Sequence, residues 1–388
     1  MPHYRSLGEI PHKRHAQFRQ AHGTLYREEV FGNEGFSGAY STLYHRFPPT
    51  QVSGRRLLED RLPGAADEEG LRHRHLRTAR VLPAGDPISG RVRLLFNEDV
   101  AISVCRPTVG MEYFYKNADG DDLLFVHTGT GYLDTMFGVL PYRPGDYLVI
   151  PRGTIYRVVA EEGAPCFLVI ESAGAVEIPR RYRNAHGQCL EHSPFCERDL
   201  RGPTHLPPPP TRPEGAGPCE VRIRARGRLT AYYYDFHPLD VVGWDGCVYP
   251  WAFSIHDFEP ITGRVHQPPT VHQTFQARNY VVCSFVPRLL DYHPEAVPVP
   301  YFHSNLESDE VLYYVNGNFG SRRGIEEGSL TLHPQGLPHG PQPGIIEASL
   351  GATRTEELAV MVDTFRPLRR TVAADTLDDP RYPDSWLP

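Results

Sequence analysis

The chain has 388 residues, of which 40% are hydrophobic and 22% charged, and a formal net charge of −7. That length suggests two domains, each with its own core, and the lack of a basic excess excludes a general nucleic-acid or anionic-membrane surface. No run of eighteen apolar residues and no apolar N-terminal core is present, so the reading is of a cytoplasmic protein. Seven widely spread cysteines with no CxxC pair read as reduced thiols rather than as a disulfide framework or a thiolate zinc site.

In chain order, residues 1–80 read as an N-terminal arm and packing segment. The Gly- and Tyr-rich stretch 1–60 is expected to be extended and to pack on a partner domain or a neighbouring subunit. Residues 56–80 carry charge and some helical spacing, broken at Pro63-Gly64. Within them, His73 and His75 form an HxH that could bind metal, but a solvated surface is the favoured reading because Arg72, Arg74 and Arg77 surround it with positive charge.

From Val81 to Ala175 the texture turns to β, with short apolar runs separated by Gly, Asp and Pro. Here Gly145, Pro151 and Gly153 follow the spacing G(x5)PxG(x2)H, but Tyr156 stands at the histidine position. Asp122 and Gly129 keep an acid-(x6)-G spacing, while Tyr115 and Asn117 occupy the two positions before it. Residues 176–218 form a seam containing Pro207–Pro210, four consecutive prolines that read as an inter-domain linker or a strap over one domain. A second β-rich segment, 219–388, follows and ends in a polar, proline-containing tail.

In that second segment Gly328, Pro334, Gly336 and His339 satisfy G(x5)PxG(x2)H at every fixed position. Ahead of them, His303, Asn305, Glu310 and Gly317 match the pattern HxH(x4)E(x6)G, with Asn305 in place of the second histidine. Linked in this way, the two patterns resemble the cupin signature. The chain thus resembles an all-β bicupin, two double-stranded β-helix (jelly-roll) barrels of which the first copy has no metal ligands. His303, Glu310 and His339 are the candidate metal ligands, and two imidazoles with one carboxylate suit ferrous iron, although zinc or manganese could use the same donors. Glu310 shares a strand face with Leu312 and Tyr314, so it should point inward and the competing Asp309 outward.

The segments Tyr301-Phe302-His303-Ser304-Asn305 and His333-(x5)-His339-Gly340-Pro341 resemble those of the homogentisate 1,2-dioxygenase family, and the likeness extends to residues 285–288, 241–244, 145–153 and 32–36. The resemblance implies an Fe(2+)-dependent ring-cleaving enzyme of aromatic amino acid catabolism, acting on a small aromatic substrate and O2, cytoplasmic and homo-oligomeric. It places His266 at the acid–base position, with His272 as its rival, and puts Tyr301, Asn305 and His333 at the substrate. This chain departs from the family in a loop one residue longer before Glu310, and in Phe319 and Arg322 where the family often has a tyrosine and a lysine. Arg322 keeps a cation for a substrate carboxylate. Other readings on the same frame are a gentisate-like or aminophenol-like cupin dioxygenase, or a metal-binding bicupin without catalysis.

Overall fold

The computed structural model describes residues 3–58, 62–67, 70–210, 215–317 and 324–387. Nearly all regular structure is β: two barrels joined face to face, with a small additional sheet formed by the N-terminal residues. Alternation along the strands explains the arrangement, because each strand gives one row of side chains to its own barrel and the opposite row to the core between the barrels.

In the first barrel, the long strands Asp121–Thr135 and Ile155–Ser172 pair antiparallel, with register shifts between Ala160 and Phe167 that bend the ribbon. Strands Val100–Cys105, Phe114–Asn117 and Asp146–Ile150 complete its wall. Tyr115, Leu124, Leu148, Tyr156 and Val169 fill its interior. Gly145 sits at positive φ where an added Cβ would lie 2.6 Å from the His256 ring, so the turn before strand Asp146–Ile150 requires glycine.

The second barrel contains strands Gln273–Ala277, Tyr280–Phe285, Asp309–Asn316, Ser329–His333 and Leu358–Thr364. Cys283, Leu312, Tyr314, Ala359 and Met361 cluster inside it. Their neighbours along the same strands face the other way. Val282, Val311, Val360 and Val362 join Phe125, Tyr147 and Val149 of the first barrel in one continuous core. Tyr147 spans the junction, its hydroxyl 2.8 Å from Ser284 Oγ and its ring 5.1 Å from that of Phe275. Each large side chain buried in this way contributes about 1.5–3 kcal/mol.

The division of the strands differs from the expectation in one place. Strands Cys219–Ala225, Arg228–Tyr234 and Trp251–Ser254 hydrogen-bond into the sheet of the first barrel, so the sheets do not divide at residue 219. Pro207–Pro210 therefore form a strap, lying over a cavity of about 460 Å³ beside the first barrel together with Met136, Val139 and His237. The N-terminal stretch packs on its own chain: strands Arg5–Gly8, Arg27–Gly32 and Tyr40–His45 form a sheet with Val241–Gly246.

Residues 74–77, which charge and spacing suggested as helical surface, form an edge strand paired to Ser329–His333 of the second barrel. Arg72 and Arg74 share Asp378 at 2.7 and 2.6 Å, and Arg77 binds Asp379 at 2.5 Å, so the C-terminal tail neutralises the segment and lets it be buried. Among the described residues, no helix is long and apolar enough to cross a membrane, and the seven cysteines are free thiols.

Candidate metal centre

Two short strands, His303–Ser304 and Pro338–His339, pair antiparallel at the mouth of the second barrel and set His303 directly opposite His339. Strand Asp309–Asn316 brings Glu310 beneath them, paired to His333 on one side and Asp363 on the other. Donor atoms of His303, Glu310 and His339 all lie within 4.8 Å of one another. His303 Nε2 is 3.4 Å from Glu310 Oε2, and His339 Nε2 is 3.4 Å from Glu310 Oε1. Gly340 permits this closeness, since a Cβ there would meet Phe302 Cα at 2.8 Å.

These contacts fit a bound cation. His339 Nδ1 lies 3.2 Å from the Leu337 carbonyl, which can only accept, so Nδ1 carries the hydrogen and Nε2 of the neutral ring presents a lone pair. That lone pair faces a carboxylate oxygen. Nε2 is buried and makes no hydrogen bond of good geometry. Two acceptors at this separation require positive charge between them, as an extra proton on His339 or as a metal ion, and a divalent cation would satisfy all three side chains at once.

Glu310 is buried, which alone would favour its neutral form, but its close contacts with the His303, His333 and His339 rings outweigh burial and hold its pKa well below the usual carboxylate range. Across the sheet, burial and the nearby Glu310 charge push the Asp363 carboxyl up to about 8, against the opposing influence of His303. The competing acid is otherwise employed. Asp309 is buried rather than outward-facing, and its two oxygens accept the backbone N–H groups of Gln335 and Leu368 at 2.9 and 2.7 Å.

The remaining predicted residues fall in three groups. His333 is fully buried, with Nδ1 2.8 Å from Glu310 Oε1 and Nε2 3.0 Å from the Tyr382 hydroxyl. A substrate contact there would require one of those bonds to give way. His266 and Tyr301 lie on the exposed side: their ring centroids are 5.0 Å apart, Tyr301 is 6.1 Å from His303, and His266 Nδ1 is 3.0 Å from Asp291 Oδ2. Asn305 is half-buried, and its carbonyl accepts the Gly336 N–H. His272 is buried against Phe285, and burial, aided by Arg288, lowers its pKa to about 3. Phe319 and Arg322 lie outside the described residues.

Three contributors were missed. His73 stands against the site instead of in solvent, its ring 5.5 Å from His333, 5.9 Å from His339 and 5.0 Å from Trp386. Strand alternation was the available signal, because His73, His75 and Arg77 share one face when the segment is read with period two. Tyr382 and Trp386 of the polar tail cover the same region, and Trp386 donates to the Gly340 carbonyl at 3.1 Å.

Fold and donor set together define a bicupin whose second barrel carries a group able to hold a metal ion. A family model described as homogentisate 1,2-dioxygenase N-terminal matches residues 87–255. The chain is 42% identical to a "Putative dioxygenase" of Saccharolobus solfataricus over 100% of its own length and 99% of that protein. It is 30% identical to the homogentisate 1,2-dioxygenase of Rhodopseudomonas palustris over 71% of its length, spanning 62% of that relative. Among solved structures, a cupin 2 conserved barrel domain protein from Leptotrichia buccalis aligns with 77% of this chain and 99% of its own, at 11% identity and a TM-score of 0.34. By these similarities the chain is a relative of the homogentisate 1,2-dioxygenases and of the putative dioxygenase of Saccharolobus solfataricus.

Proposed function

We propose that this protein is an iron(II)-dependent ring-cleaving dioxygenase acting on homogentisate or a closely related hydroquinone carboxylic acid. The observation that carries the reading is the convergence of His303, Glu310 and His339, in which acceptor atoms face one another in a buried site. Ferrous iron held by these three side chains supplies open positions where a ring hydroxyl and dioxygen can be brought together. Both atoms of O2 end in the product, so no separate reductant is needed.

The chain's own groups do the remainder. Tyr382 holds His333, and His333 holds Glu310, so the carboxylate keeps one orientation as a ligand. His266 serves as the acid–base group. With Nδ1–H directed to Asp291 at 3.0 Å, its Nε2 is left as the acceptor nitrogen of the ring. His272 is a poor base by comparison, since a pKa near 3 makes it a weak proton acceptor. Tyr301 and Asn305 border the substrate position, and Arg322 is the proposed cation for its carboxylate. Exposed apolar side chains beside the mouth, among them Tyr292, Tyr301, Phe302 and Leu306, are the surface on which a homo-oligomer would pack. Free thiols throughout suit a cytoplasmic enzyme.

The test is anaerobic reconstitution with ferrous iron followed by oxygen-electrode assays with homogentisate and gentisate side by side. Stoichiometric iron with oxygen uptake on homogentisate supports the proposal. Uptake on gentisate alone would move the substrate class, and bound metal with no uptake on any hydroquinone would leave a binding protein.

A further inference from the structure

The first barrel has lost the metal ligands, yet it has kept a positive charge at their place. Tyr115, Asn117, Asp122 and Tyr156 occupy the positions that correspond to His303, Asn305, Glu310 and His339. The Arg91 guanidinium sits among them. Its Nη2 donates to Tyr156 Oη at 3.0 Å and lies 3.5 Å from Asp122 Oδ2, and Tyr156 in turn donates to Asp122 Oδ2 at 2.5 Å. The same guanidinium lies 5.5 Å from the centre of the Tyr115 ring. A fixed organic cation thus replaces the ion that this frame holds in the second barrel.

Beside Arg91 a cavity of about 360 Å³ opens at the barrel mouth, within the size range of small-molecule sites. Among the described residues, four arginines line it, Arg91, Arg93, Arg222 and Arg224, against one carboxylate, Glu171. Glu171 is shared: Arg91 and Arg93 reach it only at 3.4 and 3.3 Å, longer than the 2.7–2.9 Å of a close charge-assisted bond. A guanidinium offers five N–H donors; Arg91 commits Nε to the Pro87 carbonyl at 3.1 Å and Nη2 to Tyr156, so the donors left for another anion come mainly from Arg93, whose Nη2 meets Glu171. Arg222 is already committed, 2.6 Å from Glu220 and flat on the Tyr113 ring at 3.6 Å, and forms a wall.

A second observation points to a ligand independently. Tyr115 Oη and Ser103 Oγ both line the cavity, both residues are fully buried, and neither atom has a hydrogen-bond partner. Buried hydroxyls left this way are rare and call for a group to satisfy them. Leu58, Leu62, Ile88 and Leu229 supply an apolar rim.

We propose that the mouth of the first barrel is a second binding site, which takes a small organic carboxylate with a compact apolar body. Arg91 and Arg93 face the carboxylate, Tyr115 and Ser103 donate to it, and the apolar rim covers its body. Planar two-oxygen anions match guanidinium forks better than tetrahedral ones do when the donors are few and fixed. The site is independent of the metal centre and of the proposed reaction.

Calorimetric titration of the full iron-loaded chain with benzoate, benzamide and inorganic phosphate tests this. Benzoate is expected to bind with a dissociation constant below about 1 mM, while benzamide, which has the same shape without the charge, does not bind. Tyr115→Phe removes only a hydroxyl that has no partner in the fold, so it should fold normally and weaken benzoate about 10-fold. Arg93→Met should weaken it further. Binding must also survive His303→Ala, which dismantles the metal centre. The proposal is overturned by absence of benzoate binding, by equal affinity for benzamide, by binding of phosphate alone, or by benzoate affinity that falls with His303→Ala and is unchanged in Tyr115→Phe.

Discussion

His333 stands between Glu310 and Tyr382, 2.8 Å from the carboxylate through one ring nitrogen and 3.0 Å from the phenol through the other. The polar C-terminal tail is therefore mechanically connected to the candidate ligand at the centre of the second barrel. Tyr382→Phe keeps the packing of the ring and removes the hydrogen bond. Iron affinity is expected to fall about 10-fold, the low end for losing an orienting partner of a metal ligand, with little change in melting temperature. Competition with a chromogenic chelator measures it, and unchanged affinity would separate the tail from the metal.

Removal of a ligand should be more severe. His303→Ala and His339→Ala each leave two donors, and neither variant is expected to retain iron through gel filtration. Both should fold, because His303 lies at the mouth and each change deletes one side chain of a two-residue strand pair that stands outside the main sheets. Metal content by atomic absorption together with circular dichroism distinguishes loss of the ion from loss of the fold.

The two adjacent acids give opposite signatures. Asp309→Ala removes the acceptor for two backbone N–H groups, each costing about 1–3 kcal/mol when left buried and unpaired. It should lower the denaturation midpoint while iron still binds. Glu310→Gln should remove iron and spare most of the stability. Reversal of this pattern would exchange the roles assigned to the two residues.

His266→Ala should retain iron and lose turnover by about 100-fold or more, the usual scale of acid–base assistance. Near-normal rates would direct attention to His272, whose low pKa then has to be reconciled with catalysis.

A pH dependence of stability comes from the N-terminal sheet. Burial opposes charge on His45, but hydrogen bonds to Asp240 at 2.7 Å and Glu29 at 2.9 Å, with the charges of those acids, raise its pKa to about 9. A pKa raised on folding contributes stability that is complete below the unfolded value of about 6.5 and is lost as pH rises through the folded value. The melting temperature should thus decline between about pH 6.5 and pH 9, and His45→Gln should flatten that decline. A wild-type curve that is level over this window would show that the pair does not hold its proton.

The repeat spacing located His303, Glu310 and His339, and Tyr156 in the matching place, because short patterns with turn glycines tie side chains to strand register. Sheet membership was less legible. Residues 219–234 and 251–254 look like the second barrel in sequence but pair with the first, since strand partners depend on contacts that no local pattern encodes. His73 was read as solvated from its arginine neighbours. Those arginines are neutralised by acids more than 300 residues further along the chain, which no window could contain.

The edge strand Arg74–Arg77 precedes the long strands of the first barrel in sequence and belongs to the wall of the second. As the chain leaves the ribosome this segment must wait, unpaired, until residues 329–333 have been made. A gene fragment encoding only the second barrel would lack its own boundary strand and would present Ser329–His333 as an open edge, a ready template for aggregation. Excising that barrel for study therefore calls for supplying residues 70–80 as a linked or added peptide.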